Sequence, residues 1–249
     1  CSRVHSMISS FFYHLFYQPL VNIFVVAVYF IPGNDLGFAI VGMTILVRAL
    51  LAPFTHKILF TQQKVRELEP HIAKIKEDLK DKKEEQARKI MELYRQHGIN
   101  PFSGFLMLFI QIPLLLALYW IFSEDFANIQ SDLYSFVLFP VGVNTMFLGI
   151  LDLTKRSVIL AFAAGFTQYI QGWLAVPPQQ KEITPPEPSM ATMMQTQMRY
   201  VFPVMIVIIG LQFSAALSLY WTVMNIFAII HEWWIRRKSA LLSLEFSKK

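Results

Sequence analysis

The sequence is poor in the residues from which most catalytic and metal centres are built. One cysteine among 249 residues leaves no intrachain disulfide possible. The six histidines are scattered without ligand spacing, and His231-Glu232 does not grow into a zinc-protease motif because Ile235 stands where the second histidine belongs. There is no Gly-x-Ser-x-Gly nucleophile elbow and no glycine-rich phosphate loop. Met193, Met194, Met198 and Met205 read as adaptable packing, not as a metal path. These absences argue against an enzyme and imply neither cofactor nor metal. No acid lies deep in any apolar run, which speaks against pumps and proton-coupled carriers, whose intramembrane carboxylates carry the proton.

Hydrophobic residues make up 55% of the chain and charged ones only 16%, a balance that belongs to integral membrane proteins. Five segments have the length of a membrane helix: 36–56, 102–122, 158–176, 200–214 and 217–235. The last two form one apolar block, too long for a bilayer of about 30 Å as a single helix, so a tight reversal near Ser214 to Ser218 is expected. Segment 133–151 contains Pro140, Gly142, Asn144 and Gly149 and reads as a sixth helix or an interfacial segment. Segment 20–31 follows Pro19 and, with the amphipathic stretch before it, reads as a helix lying on the outer membrane surface.

Charge sets the topology. Of the 22 Lys and Arg, 11 fall in 57–95 and five in the tail from Arg236, so the positive-inside rule assigns both to the cytoplasm. The net charge of +5 reads as topology and membrane attraction, not as sequence-specific nucleic-acid binding. Cys1 suggests a lipidated, palmitate-bearing N-terminus after signal-peptide removal, hence outside. An outside start and an inside end require an odd number of spans, which decides against a sixth helix at 133–151. The expectation is an all-α bundle of five transmembrane helices in a bacterial cell membrane. Its domains are an external segment with an interfacial helix (1–35), a first span (36–56), a cytoplasmic helical hairpin (57–101), a second span (102–122), an external loop with an interfacial segment (123–157), a third span (158–176), a cytoplasmic loop (177–199), two short spans (200–214 and 217–235) and a basic tail (236–249). In the hairpin, Val65, Leu68, Ile72, Ile75 and Leu79 face Ala87, Ile90, Tyr94 and His97 across a coiled-coil seam, with Pro70 bending the first arm.

Arg48 stands near the middle of the apolar run 36–53. Burying it costs roughly 2.5 to more than 10 kcal/mol, depending on its access to water. At about 1.5 Å per residue, the run's start lies about 18 Å away and Lys57 about 13 Å, too far for easy snorkelling. A wet intramembrane pocket is therefore expected, and its natural visitor is an acidic group on a substrate. Other spans carry polar atoms at similar depth: Thr44 one turn before Arg48, Gln111, the pair Gln168 and Gln171, and the stripe Ser218, Thr222 and Asn225. Helix pairing through such side chains is the alternative to a groove.

Four stretches carry a resemblance: Thr44-Ile45-Leu46-Val47-Arg48-Ala49-Leu50-Leu51-Ala52-Pro53; His97-Gly98-Ile99-Asn100-Pro101-Phe102-Ser103-Gly104 followed by Ile110-Gln111-Ile112-Pro113; Phe202-Pro203-Val204-Met205; and Ala215-Ala216-Leu217-Ser218-Leu219-Tyr220-Trp221 with Asn225. In this order the chain resembles the YidC type of membrane protein insertase, in its short form. The resemblance implies five helices around a hydrophilic groove open to cytoplasm and lipid, with Arg48 in it and Gln111, Gln171, Trp221 and Asn225 along the substrate path. It implies nascent membrane proteins with acidic extracellular tails as clients, with the ribosome and the Sec channel as further partners. The chain departs from the pattern at Gln171-Gly172, where relatives often show two glutamines, at His231, at Lys155-Arg156 and in its short basic tail. A small-anion transporter or channel using Arg48, and a purely structural assembly scaffold, are the rival readings.

Overall fold

Asp35 starts the helix on which the candidate site depends. Its carboxylate accepts hydrogen bonds from the backbone N–H groups of Gly37 (2.8 Å) and Phe38 (3.0 Å), satisfying donors that a helix start leaves open. From there α2 runs over Leu36–Glu67. The computed structural model describes residues 10–100, 103–123, 128–175 and 196–246. Cys1, Pro101, Phe102, Met193, Met194 and most of the loop 177–199 lie outside the described residues. The described chain is mostly helical: α1 (Ser10–Phe30), α2, α3 (Glu69–Asp78), α4 (Lys83–Gln96), α5 (Ser103–Ser123), α6 (Val158–Ala175), α7 (Gln197–Gln212) and α8 (Ala215–Phe246). Ser10–Phe30 and Leu36–Ile58 are long and apolar enough to cross a membrane, and Gln111–Phe122, Val158–Leu174 and Gln197–Gln212 are shorter apolar helices.

Two units divide the chain. One holds residues up to Leu50 together with Ile112–Trp233; the other holds Leu51–Gln111 and residues from Trp234 on. In the first, α1 runs through Pro19 and joins the stretch before it to the apolar segment after it. Pro19 does not begin the helix, because it follows a π-turn over Tyr13–Tyr17 whose widened hydrogen bonding accommodates a residue without an N–H. The same device recurs in α7, where a π-turn over Gln197–Val201 precedes Pro203. Val21, Phe24, Val25 and Val28 of α1 are completely buried in one cluster with Ile40, Met43, Leu118 and Leu217. This helix is therefore part of the core of its unit.

Among the described residues between α5 and α6 there is no long helix. A short 3-10 turn over Asn128–Asp132 leads into irregular chain and then a small antiparallel hairpin, β1 (Met146–Phe147) and β2 (Leu151–Asp152), an addition to an all-α expectation. Pro140 cannot donate to a helix, and Gly142 and Gly149 adopt positive φ, which breaks the helical reading of 133–151. The segment ties helix ends together. Asp132 accepts from the hydroxyls of Tyr13 (2.5 Å) and Tyr17 (3.3 Å) on α1, and the Leu36 N–H donates to the Asn144 carbonyl (2.9 Å) at the start of α2. At its other end the Ala215 N–H donates to the Lys155 carbonyl (2.7 Å) where α8 begins. The long apolar block breaks at Phe213, whose extended backbone (φ −105°, ψ 177°) ends α7.

In the second unit α2 stops at Glu67 and α3 restarts at Glu69 with Pro70 in its first turn, where a missing N–H costs nothing. Leu68, Ile72 and Ile99 form its buried cluster, with Val65, Ile90, Leu93 and Tyr94 packed against them. Leu79 and His97 are the capping residues where α3 and α4 end.

Helix α6 approaches the start of α7 closely. A Cβ on Gly172 would lie 2.6 Å from the Met198 carbonyl oxygen, so a second glutamine beside Gln171 has no room here. Gly172→Gln is expected to destabilise the protein by about 1–3 kcal/mol, read as a lowered thermal midpoint in detergent. Asp152 offers a second test. Hydrogen bonds from Thr154 (2.7 Å from the hydroxyl) and then the Lys155 ammonium (3.0 Å) hold its carboxyl down at about 2. The folded value lies below the ordinary 3.8, so this contribution to stability is fully present above the ordinary value and fades as pH falls towards the folded one. Acid-melting curves of Asp152→Asn should lose that part of the pH dependence.

Candidate functional site

The side chains around Arg48 come from four helices of one unit. Met43, Thr44, Val47 and Arg48 of α2 face Leu20 of α1, Leu114 and Leu118 of α5 and Tyr220 of α8 around a narrow cavity of about 10 Å³, room for about one water molecule. Thr44 and Arg48 share a helical face because they lie four residues apart. Arg48 is only 7% exposed and Thr44 1%. The Thr44 hydroxyl donates to the Ile40 carbonyl at 2.6 Å, so its proton is spent within its own helix and a lone pair is what it can offer the cavity. The lining is otherwise apolar apart from the Tyr220 phenol, and a cation is felt strongly in such surroundings.

A second polar group joins α6 to α8. The Trp221 indole N–H donates to Gln168 Oε1 at 3.2 Å, and Gln168 Nε2 donates to Gln171 Oε1 at 3.1 Å. One turn further along α8, Asn225 Nδ2 donates to the Ala164 carbonyl and to the Thr167 hydroxyl oxygen, each at 3.3 Å. Gln168 and Asn225 are buried and Gln171 half-buried. Thr222, from the same sequence stripe, donates back to the Ser218 carbonyl at 2.8 Å, while the buried Ser218 hydroxyl has no hydrogen-bond partner among the described residues.

The residues singled out in the sequence thus fall into two groups. Arg48 and Thr44 share the cavity; Gln168, Gln171, Trp221 and Asn225 form an interhelical ladder. Gln111 is half-buried on α5 and is not one of the residues that line the cavity. Helix α8 serves both groups, since successive residues of a helix point about 100° apart: Tyr220 borders Arg48 while Trp221 turns to α6. Sequence reading passed over Tyr220. Its signal was a phenol on the face shared with the buried Ala216, Leu217 and Met224. A buried acid was also underweighted: Glu232, near the end of the fifth apolar run, is 5% exposed.

The ladder predicts a stability effect separable from the cavity. Trp221→Phe keeps the ring and removes the indole donor, and it is expected to cost about 0.6 kcal/mol, typical of interhelical hydrogen bonds in membranes. Denaturant unfolding in micelles would measure it, and a Gln168→Leu background should abolish the difference.

The sequence of this chain is similar to those of known proteins. The family model described as 60Kd inner membrane protein matches residues 28–241. A protein of Syntrophobacter fumaroxidans named membrane protein insertase YidC is 29% identical over 227 residues, covering 88% of this chain and 37% of the relative. Proteins of the same name from Pseudomonas fluorescens Pf-5 and Ectopseudomonas mendocina are each 30% identical over 81% of this chain, which covers 32% and 31% of them. The chain therefore spans about a third of the length of these curated relatives.

Proposed function

The chain belongs to the 60Kd inner membrane protein family, the YidC type, and from that premise we propose that it inserts small membrane proteins and helps them fold. Five spans, at 36–56, 102–122, 158–176, 200–214 and 217–235, carry the protein across the membrane in this reading. In the same reading the charged hairpin and the basic segment from Arg236 lie in the cytoplasm, where the ribosome and the Sec channel are candidate partners. Burial of Arg48 beside a water-sized cavity is the observation that carries the proposal.

The mechanism follows from the cost of moving polar chain through hydrocarbon. An unsatisfied amide or charge loses its water there, at several kcal/mol per group. A hydrophilic groove reaching Arg48 shortens the dry distance. An acidic residue in the client's tail is drawn to the guanidinium more strongly than it would be in bulk water, and it displaces the water that the narrow cavity accommodates. Thr44 and Tyr220 supply polar contacts beside it. Gln111, Gln168, Gln171, Trp221 and Asn225 border the path along which the client's apolar helix passes to lipid. Burying that helix, at about 25 cal/mol per Å² of apolar surface, drives the process without nucleotide.

Purified protein in liposomes, given a small client without other factors, tests the reading directly. Arg48→Ala is expected to abolish insertion of clients with acidic tails, and Arg48→Lys to retain part of it, because the attraction depends on charge more than on guanidinium geometry. Photo-crosslinkers at Thr44, Gln111 or Gln171 should capture the client during insertion. Normal insertion of an acidic-tailed client by Arg48→Ala would overturn the attraction, and saturable flux of a small anion with no client insertion would favour a transporter.

A further inference from the structure

Residues 133–151 contain no charged side chain, yet the structure leaves their large apolar groups uncovered. Phe136, Leu138, Val141, Leu148 and Ile150 are 79, 68, 89, 59 and 77% exposed. The alternate residues Val137, Phe139, Val143, Phe147 and Leu151 pack against the core of the same unit. Extended chain points successive side chains to opposite sides, so this segment has two apolar faces, one on protein and one that no described residue covers. A segment with water on its outer side would alternate apolar with polar. The hairpin tip follows the same pattern. Leu148 and Gly149 turn the chain with φ of 54° and 69°, a conformation for which water-facing turns use Asn or Gly. A leucine held there, strained and projecting outward, suits an apolar medium.

We propose that the outward row Phe136, Leu138 and Val141 and the hairpin tip Leu148 and Ile150 dip into the outer leaflet of the bilayer as a lipid-embedded finger. The occupant is lipid rather than a protein partner because the finger continues into an apolar helix. Lipid-type exposure resumes at once on the first turn of α6, with Val158 and Ile159 at 61 and 71%. Lys155 and Arg156 stand between the hairpin and that turn, where lipid phosphates lie. The finger is fixed to the protein by the paired backbone bonds between Asn144 and residues Asn34 and Leu36 (3.0 and 2.9 Å). It therefore holds the start of the Arg48-bearing helix at the lipid surface. The inference rests on the proposed crossing of the membrane by α6.

Depth-dependent fluorescence quenching tests both and separates them. In a Cys1→Ser background, single cysteines replacing Leu148, Ile150, Thr154 and Phe166 are labelled with an environment-sensitive fluorophore. The full chain is then reconstituted in phosphatidylcholine–phosphatidylglycerol vesicles. The probes at 148 and 150 are expected to emit to the blue of the Thr154 probe, to be quenched by brominated acyl chains and to be shielded several-fold from aqueous iodide. The Phe166 probe, exposed on α6, reports the span itself. Iodide quenching at 148 and 150 equal to that at 154, with Phe166 in lipid, overturns the finger and leaves the span reading standing. Shielding from iodide without quenching by bromolipid means that protein, such as a second copy, covers the tip, and also overturns it. Iodide access at Phe166 removes the span reading itself.

Discussion

A guanidinium enclosed by apolar side chains is the constraint on which the rest of this protein depends. Removing Arg48 from water is costly by any estimate, and the helices around it are arranged to bear that cost. Thr44 and Tyr220 are polar residues that line the cavity beside it, which has room for about one water. Low dielectric raises the cost of burying the charge and, in equal measure, the strength with which the charge acts on an anion that reaches it. The feature that makes the site expensive is thus the feature that makes it useful for insertion in the proposed mechanism.

Holding four helices around one charge requires that their ends be fixed, and the chain between α5 and α6 does this. It bonds to α1 through Asp132, to α2 through Asn144 and to α8 through Lys155. Within the bundle, α6 and α8 are joined by the ladder from Trp221 to Gln168 and from Asn225 to Ala164. Apolar packing alone discriminates weakly between helix registers in lipid, where tails are as apolar as leucine, so directional bonds of this kind set the register. The stripe on α8 therefore serves helix pairing at Asn225 and Trp221, while Tyr220 on the adjoining face borders the cavity.

Much of the helical architecture was legible because its signals are local. Apolar runs such as 36–53 and the three-and-four spacing of Leu68 and Ile72 report on helices that bury one face. The resemblance built from the Arg48, Asn100-Pro101, Phe202-Pro203 and Tyr220-Trp221 stretches pointed to the family that the comparison then showed. What went unread depended on contacts distant in sequence. The π-turn over Tyr13–Tyr17 that carries α1 through to Pro19 has no local signature, and the burial of Val21 and Phe24 depends on helices far along the chain. The segment 133–151 was hydrophobic enough for a helix, but its conformation is set by Asn144 pairing with the start of α2.

The order of residues alone determined that this is a helical membrane protein with one arginine deep in an apolar run and its cations gathered in two regions, since composition and charge distribution are properties of the chain itself. Only tertiary structure decided which polar side chains meet. Gln168 reaches Trp221, Thr44 turns back to Ile40, and Tyr220 rather than its neighbour borders Arg48. The physical reason is that a side chain's partner depends on helix rotation and crossing, which are settled by packing across residues far apart in sequence. Gly172 against the Met198 carbonyl shows how closely that packing is drawn.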